Sequence, residues 1–269
     1  MRKLIPVFAL AIFPLSFSSA QDKSGAPPSI DVGAIPEASD EDVVIPIPQE
    51  IFNSLDKLGV QNWKQQVHQP EYKLNPNRSR TALIFGLQIS EGFILIQAKD
   101  KDGVTQIGRD VIKLAGALGV EAAVDQHAFA IIEGAGKEDW ASVRQELDKT
   151  RKTVIDTMRE LRDDSLADLV TVGGWLGGTR ALSAALKENY SKEGSDLLNQ
   201  PHLLSEVRKR YKRVPETDKR GKFFNELSQT LKSLDPLMRV NNEGLIAEDA
   251  VGEINQLTHG LSDAIYEGK

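Results

Sequence analysis

"LVTVGGWLGGTRAL", residues 169–182, sets four glycines around one tryptophan inside a segment that otherwise keeps helical spacing. An interior glycine costs a helix on the order of 1 kcal/mol relative to alanine. Four in one stretch mean either a loop or a helix that needs room beside it, and the spacing favours the helix. Residues four apart share a helical face, so Gly173 aligns with Gly177 and Gly174 with Gly178 in two adjacent grooves. Where side chains are missing a second backbone can approach, and dispersion contacts along the seam offset the lost propensity.

The expected partner is "NPNRSRTALIFGLQISEGFILIQAK", residues 75–99. It opens on Asn77, a good N-cap residue, and is apolar nearly all round, the pattern of a helix surrounded by others. "EGFILIQA" alone also fits a buried strand; the length of the run and its lack of a turn signal select helix. Gly86, Ser90 and Gly92 are its small residues. The two helices are therefore expected to cross at the centre, with Trp175 beside the crossing.

Helical signals continue on both sides. Val104, Ile107, Val111, Ala115 and Leu118 recur at helical spacing, and Gly119 ends that helix. Val120, Val124, His127 and Ile131 repeat the spacing, and Trp140, Val143, Leu147, Val154, Met158 and Leu161 form one stripe along 138–161. Helices are further predicted over 165–190, 201–214, 222–240 and 245–267, with a bend or split at Asp235-Pro236. A short helix over 49–58 stops at Gly59. Together these predict an all-α fold: a single bundle of about eight or nine helices over residues 49–269, built on the glycine-rich crossing.

The residues before it read differently. Met1-Arg2-Lys3, an apolar run from Leu4 to Phe17, and Ser18-Ser19-Ala20 match a secretory signal peptide over 1–20. Residues 21–48 mix proline, small and acidic residues without periodicity, which predicts an extended, mostly disordered leader. No second apolar stretch of spanning length without charges follows. The chain contains no cysteine, which excludes disulfides, thiolate metal sites and a thiol nucleophile. With a signal peptide and no disulfide framework, the expected location is a bacterial periplasm or the medium, and the sequons at Asn77 and Asn189 are read as chance. Removing Arg2 and Lys3 takes 33 basic residues to 31 against 39 acidic ones, a net charge of about −8. That balance argues against a nucleic-acid or anionic-membrane binder.

Two groups of residues carry candidate function. Glu91 and Arg180 interrupt the two apolar helices, and a charge buried alone is costly, so each needs a partner. Arg180 with Glu91, or with Asp168, is the natural pairing. It is read first as a structural ion pair, and alternatively as a pocket for a small ligand formed by Glu91, Trp175, Arg180 and His127. The second group is "RKRYKRVPETDKRGK", residues 208–222: Arg208, Lys209, Arg210, Lys212, Arg213, Lys219, Arg220 and Lys222. Leu204, Val207, Tyr211 and Val214 give that helix an inward face, which sends the charges outward. Such a patch suits a protein or anionic polymer at the cell envelope or a host surface, or the chain's own acidic leader.

Catalytic and cofactor motifs are missing: there is no H-E-x-x-H, G-x-S-x-G or P-loop, and "GAGKED" (134–139) lacks the P-loop spacing. His68, His127, His202 and His259 stand at no metal-motif spacing, and Asp163, Asp164 and Asp168 are read as the start of a helix rather than a cation site. No catalytic residue, metal ligand or cofactor is assigned. The expected function is a non-catalytic binding module; a small-ligand carrier or sensor, and a hydrolase or lyase using carboxylates, are the alternatives.

Overall fold

Residues 62–74 and 76–268 are described by a computed structural model. The expected signal peptide, the leader and the helix at 49–58 fall outside the described residues.

Arg78–Gln97 forms α1, and the N-cap reading of Asn77 holds: its side chain accepts from the Arg80 amide. The same side chain donates to the Arg220 carbonyl at 2.8 Å, so the asparagine of the first sequon is engaged in the fold. Every residue from Ser79 to Ile96 is buried, which explains why the segment lacks a polar face. By length and composition α1 is apolar enough to cross a membrane, yet its whole apolar window is enclosed by the other helices.

Asp100 caps α2 (Lys101–Leu118), which ends as expected at Gly119 in the left-handed region, φ 80°. After α3 (Glu121–Gly136), Asp139 caps α4 (Trp140–Glu160). The connections after α1, α3 and α4 turn through non-glycine residues with positive φ: Lys99, Glu138 and Arg162.

The glycine-rich segment is one unbroken helix, α5, Asp164–Glu188. It is followed by a short α6 (Lys192–Asp196), then α7 (Pro201–Arg213), α8 (Lys222–Leu237) and α9 (Glu248–Glu267). The expected break at Pro236 does not occur, because the proline sits in the last turn of α8 and the helix ends one residue later. A 3-10 turn, Trp63–Gln66, precedes α1 and buries Trp63. The all-α prediction is met: eight helices of 13 to 25 residues, with no strand among the described residues.

α1 and α5 form the centre. α2, α3 and α4 pack in succession beginning on α1, with α4 reaching both α1 and α5. α9 also touches both central helices, while α7 lies on α5 and α8 on α9. The crossing uses the first of the two expected grooves, Gly173 with Gly177, whereas a Cβ at Gly174 would meet nothing nearer than 3.8 Å. A Cβ added at Gly86 would lie 2.2 Å from the Val170 carbonyl oxygen, and one at Gly173 would lie 2.2 Å from that of Leu83. Ser90 faces Gly177 and donates its hydroxyl to the Gly174 carbonyl at 2.7 Å. Gly92 serves a different seam, where it admits Leu147 of α4.

Candidate functional site

The two charges inside the central helices meet. Arg180 Nη2 lies 2.5 Å from Glu91 Oε1, and neither side chain is more than 3% exposed. Each charge also holds backbone from the segment before α1: Arg180 Nη2 donates to the Gln66 carbonyl at 3.0 Å, and Glu91 Oε2 accepts the His68 amide at 2.8 Å. Burial pushes the Glu91 carboxyl above the usual carboxylate range, while Arg180 and the His68 amide pull it back down. The pair thus works as a clamp that fixes residues 66–68 across α1 and α5.

The other members of the expected pocket do not join this pair in an open cavity. Trp175 is buried on α5 and its indole N–H has no hydrogen-bond partner. His127 faces α4, where Nδ1 meets Glu146 Oε2 at 2.8 Å and Nε2 lies 3.4 Å from Thr153 Oγ1. It joins two neighbouring helices away from the crossing.

Asp168, the other candidate partner for Arg180, is taken by the basic cluster. Arg210 Nη1 reaches Asp168 Oδ1 at 3.1 Å, and Arg213 grips both carboxylate oxygens at 2.9 and 3.1 Å. Arg210 therefore corrects the expectation that every charge of α7 points outward. It follows Leu203 and Val207 at helical spacing, so it lies on the buried face and needs an anion there. Asp163 pairs with Arg78 at 2.7 Å and stands at the N-cap position of α5 without a side-chain cap. These carboxylates are each committed to an arginine.

Other members of the cluster are also engaged. Lys209 pairs with Glu206, and Arg220 donates to the Thr217 carbonyl. Lys219 pairs with Glu216 and lies over the Tyr211 ring, 4.7 Å from its centre. Arg208, Lys212 and Lys222 are exposed and have no ionic partner among the described residues. Arg208 and Lys212 line a groove of about 510 Å³ between α7 and α8, together with Lys209, Lys219 and Lys232. Glu216 is the one acidic residue on its wall. Lys232 of α8 lies outside the 208–222 run, so sequence reading could not add it without knowing how α7 and α8 pack.

A second cleft of about 730 Å³ is lined by Tyr72, Arg80, Gln88, Asp110, Lys113 and Tyr266, among others. Arg80 gives its guanidinium to the carbonyls of Lys73, Ile265 and Tyr266. The Tyr72 hydroxyl and Gln88 Oε1 are buried there without hydrogen-bond partners. Neither cleft is lined by Glu91, Trp175 or Arg180.

The fold also gathers a group that the sequence motifs did not suggest: His68, His259 and Asp263. His259 and Asp263 stand one turn apart on α9, a weak local signal. His68 comes from the segment before α1, and only the fold brings it near.

The chain matches no protein-family model, no curated protein sequence and no solved structure.

Proposed function

We propose that this protein is an extracytoplasmic, non-catalytic binding module whose α7–α8 face docks an anionic polymer. The observation that carries the reading is the groove wall, where exposed Arg208, Lys212 and Lys232 stand beside the paired Lys209 and Lys219 in a chain of net charge −6. Like charges repel, so concentrating them on one face of an acidic protein costs stability that a polyanion would return on binding. Arg210, buried on Asp168, serves the fold and is separate from the exposed Arg208 and Lys212. The apolar start and small-residue end of residues 1–20 support export.

The test is binding of polygalacturonate, a carboxylated glycan, to the full chain at several salt concentrations. The triple variant Arg208→Ala, Lys212→Ala, Lys232→Ala should bind at least tenfold more weakly and show a shallower salt dependence. Equal binding by the variant, or none by the wild type, refutes the proposal.

A small-ligand carrier is a second reading, favoured by the two unpartnered polar atoms at the Tyr72–Gln88 cleft rather than by the Glu91–Arg180 pair. Its test is a thermal-shift screen with amino acids and sugars, in which Gln88→Leu should abolish any shift.

A further inference from the structure

We propose that His68, His259 and Asp263 bind one divalent transition-metal ion. The geometry is that of three convergent ligands with one side open. One ligand atom from each residue lies within 4.8 Å of the others, and Asp263 contacts both rings. His68 Nε2 is 2.8 Å from Asp263 Oδ1, and His259 Nδ1 is 3.1 Å from Asp263 Oδ2. Ligands at about 2.0–2.1 Å around a tetrahedral ion sit roughly 3.3 Å apart. Small side-chain rotations therefore suffice to bring all three donors onto one centre.

Three further observations suit a metal site. His68 Nε2 is buried and only 2.8 Å from Asp263 Oδ1, so once its proton is displaced its lone pair and a carboxylate oxygen stand ready at one point for a metal ion. The two imidazoles lie with centroids 4.4 Å apart and planes inclined at 52°, so neither ring stacks flat on the other. His68 is held in place through its own backbone, since its amide is bound by Glu91, itself locked to Arg180. A ligand whose backbone is already fixed loses less conformational freedom on binding.

The donor set narrows the choice of ion. Two imidazole nitrogens and one carboxylate suit Zn²⁺, Ni²⁺ or Cu²⁺, whereas Ca²⁺ and Mg²⁺ prefer all-oxygen shells. His259 and Asp263 are 46% and 41% exposed, which leaves an entry path and room for water as a further ligand. Arg180 opposes a cation here, but Glu91 neutralises it at 2.5 Å. A bound ion would join the segment before α1 to α9, next to the buried clamp. This site is independent of the α7–α8 groove.

The test is calorimetric titration of the chelator-treated full chain with ZnCl₂, and separately with MgCl₂. One equivalent of Zn²⁺ should bind and raise the melting temperature, with no comparable Mg²⁺ binding. His259→Ala and Asp263→Asn should each weaken Zn²⁺ at least tenfold while leaving the metal-free melting temperature near that of the wild type, since both side chains are partly exposed. Replacing Zn²⁺ with Co²⁺ should give visible d–d bands that His259→Ala removes. His202→Ala, which alters an exposed histidine on α7, should change nothing. The proposal is overturned by the absence of stoichiometric Zn²⁺ binding, by full binding in both His259→Ala and Asp263→Asn, or by loss only in His202→Ala.

Discussion

Ser90 donates its hydroxyl to the carbonyl of Gly174 at 2.7 Å, from one central helix to the other. The contact exists because neither backbone is held away by a side chain, and it distinguishes glycines that look equivalent in the sequence. At Gly173 an added methyl would meet the Leu83 backbone at 2.2 Å, whereas at Gly174 the nearest atom would be 3.8 Å away. Gly173→Ala must push the helices apart, an overpacking cost of about 3 kcal/mol. Gly174→Ala should be neutral or stabilise by up to about 1 kcal/mol through helix propensity. Urea denaturation midpoints of the two variants will separate these outcomes.

Removing one member of the Glu91–Arg180 pair strands the other in the core. Arg180→Met should cost about 3–5 kcal/mol, because the Glu91 carboxylate stays buried without its counter-charge. It should also loosen residues 66–68, which Arg180 and Glu91 hold by backbone hydrogen bonds. Adding Glu91→Leu to Arg180→Met should recover much of the loss, since an apolar pair of similar size avoids desolvating charge. Chemical denaturation gives the stabilities, and hydrogen exchange at the His68 amide reports the clamp. If Arg180→Met folds as stably as the wild type, the pair is not structural.

Asp100 makes the first turn of α2 sensitive to pH. Its carboxylate accepts the Gly103 amide and pairs with Lys64 at 3.1 Å, and these contacts hold its pKa below the ordinary value, the amide having the larger effect. A depressed carboxylate contributes stability that is complete above its unfolded pKa of about 3.9 and is lost as pH falls through the lower folded value. Asp100→Ala should cost about 1 kcal/mol at neutral pH, the usual penalty for losing an N-cap. The difference from wild type should shrink as the pH is lowered through the acid range, which denaturant titrations at several pH values will measure.

How far the sequence could be read follows from what each feature depends on. Apolar spacing, N-cap residues and Gly119 act within a few residues, so the helices and most of their ends were legible. The α1–α5 crossing was legible too, because its small residues repeat at helical intervals on both segments. Pro236 lacks the bond back to the Lys232 carbonyl, but because it stands in the last turn this ends α8 at Leu237 instead of splitting a longer helix. The Glu91–Arg180 pair could be anticipated since few charges enter the core helices. Long-range placement was not legible: nothing near His68 indicates α9, and nothing near Asp168 shows that it would claim Arg210 and Arg213. Residue type alone grouped eight cations, and only the packing of α7 on α5 divided them by role.

That division predicts opposite responses within one basic run. Arg210 is buried and Asp168 is its anion, so Asp168→Ala leaves a guanidinium in the core without that carboxylate and should cost about 3–5 kcal/mol. Arg213 shares the same carboxylate but is 58% exposed, so Arg213→Ala should cost no more than about 1 kcal/mol. Arg208→Ala and Lys212→Ala, which break no ion pair within the described residues, should change stability by less than about 0.5 kcal/mol in either direction. Any gain would come from relieving repulsion across the groove and should fade as salt is raised. Denaturation midpoints for the four variants at low and high salt will check the order. If Arg208→Ala or Lys212→Ala destabilises as much as Asp168→Ala, those side chains serve the fold, and the α7–α8 groove loses its claim to be a docking surface.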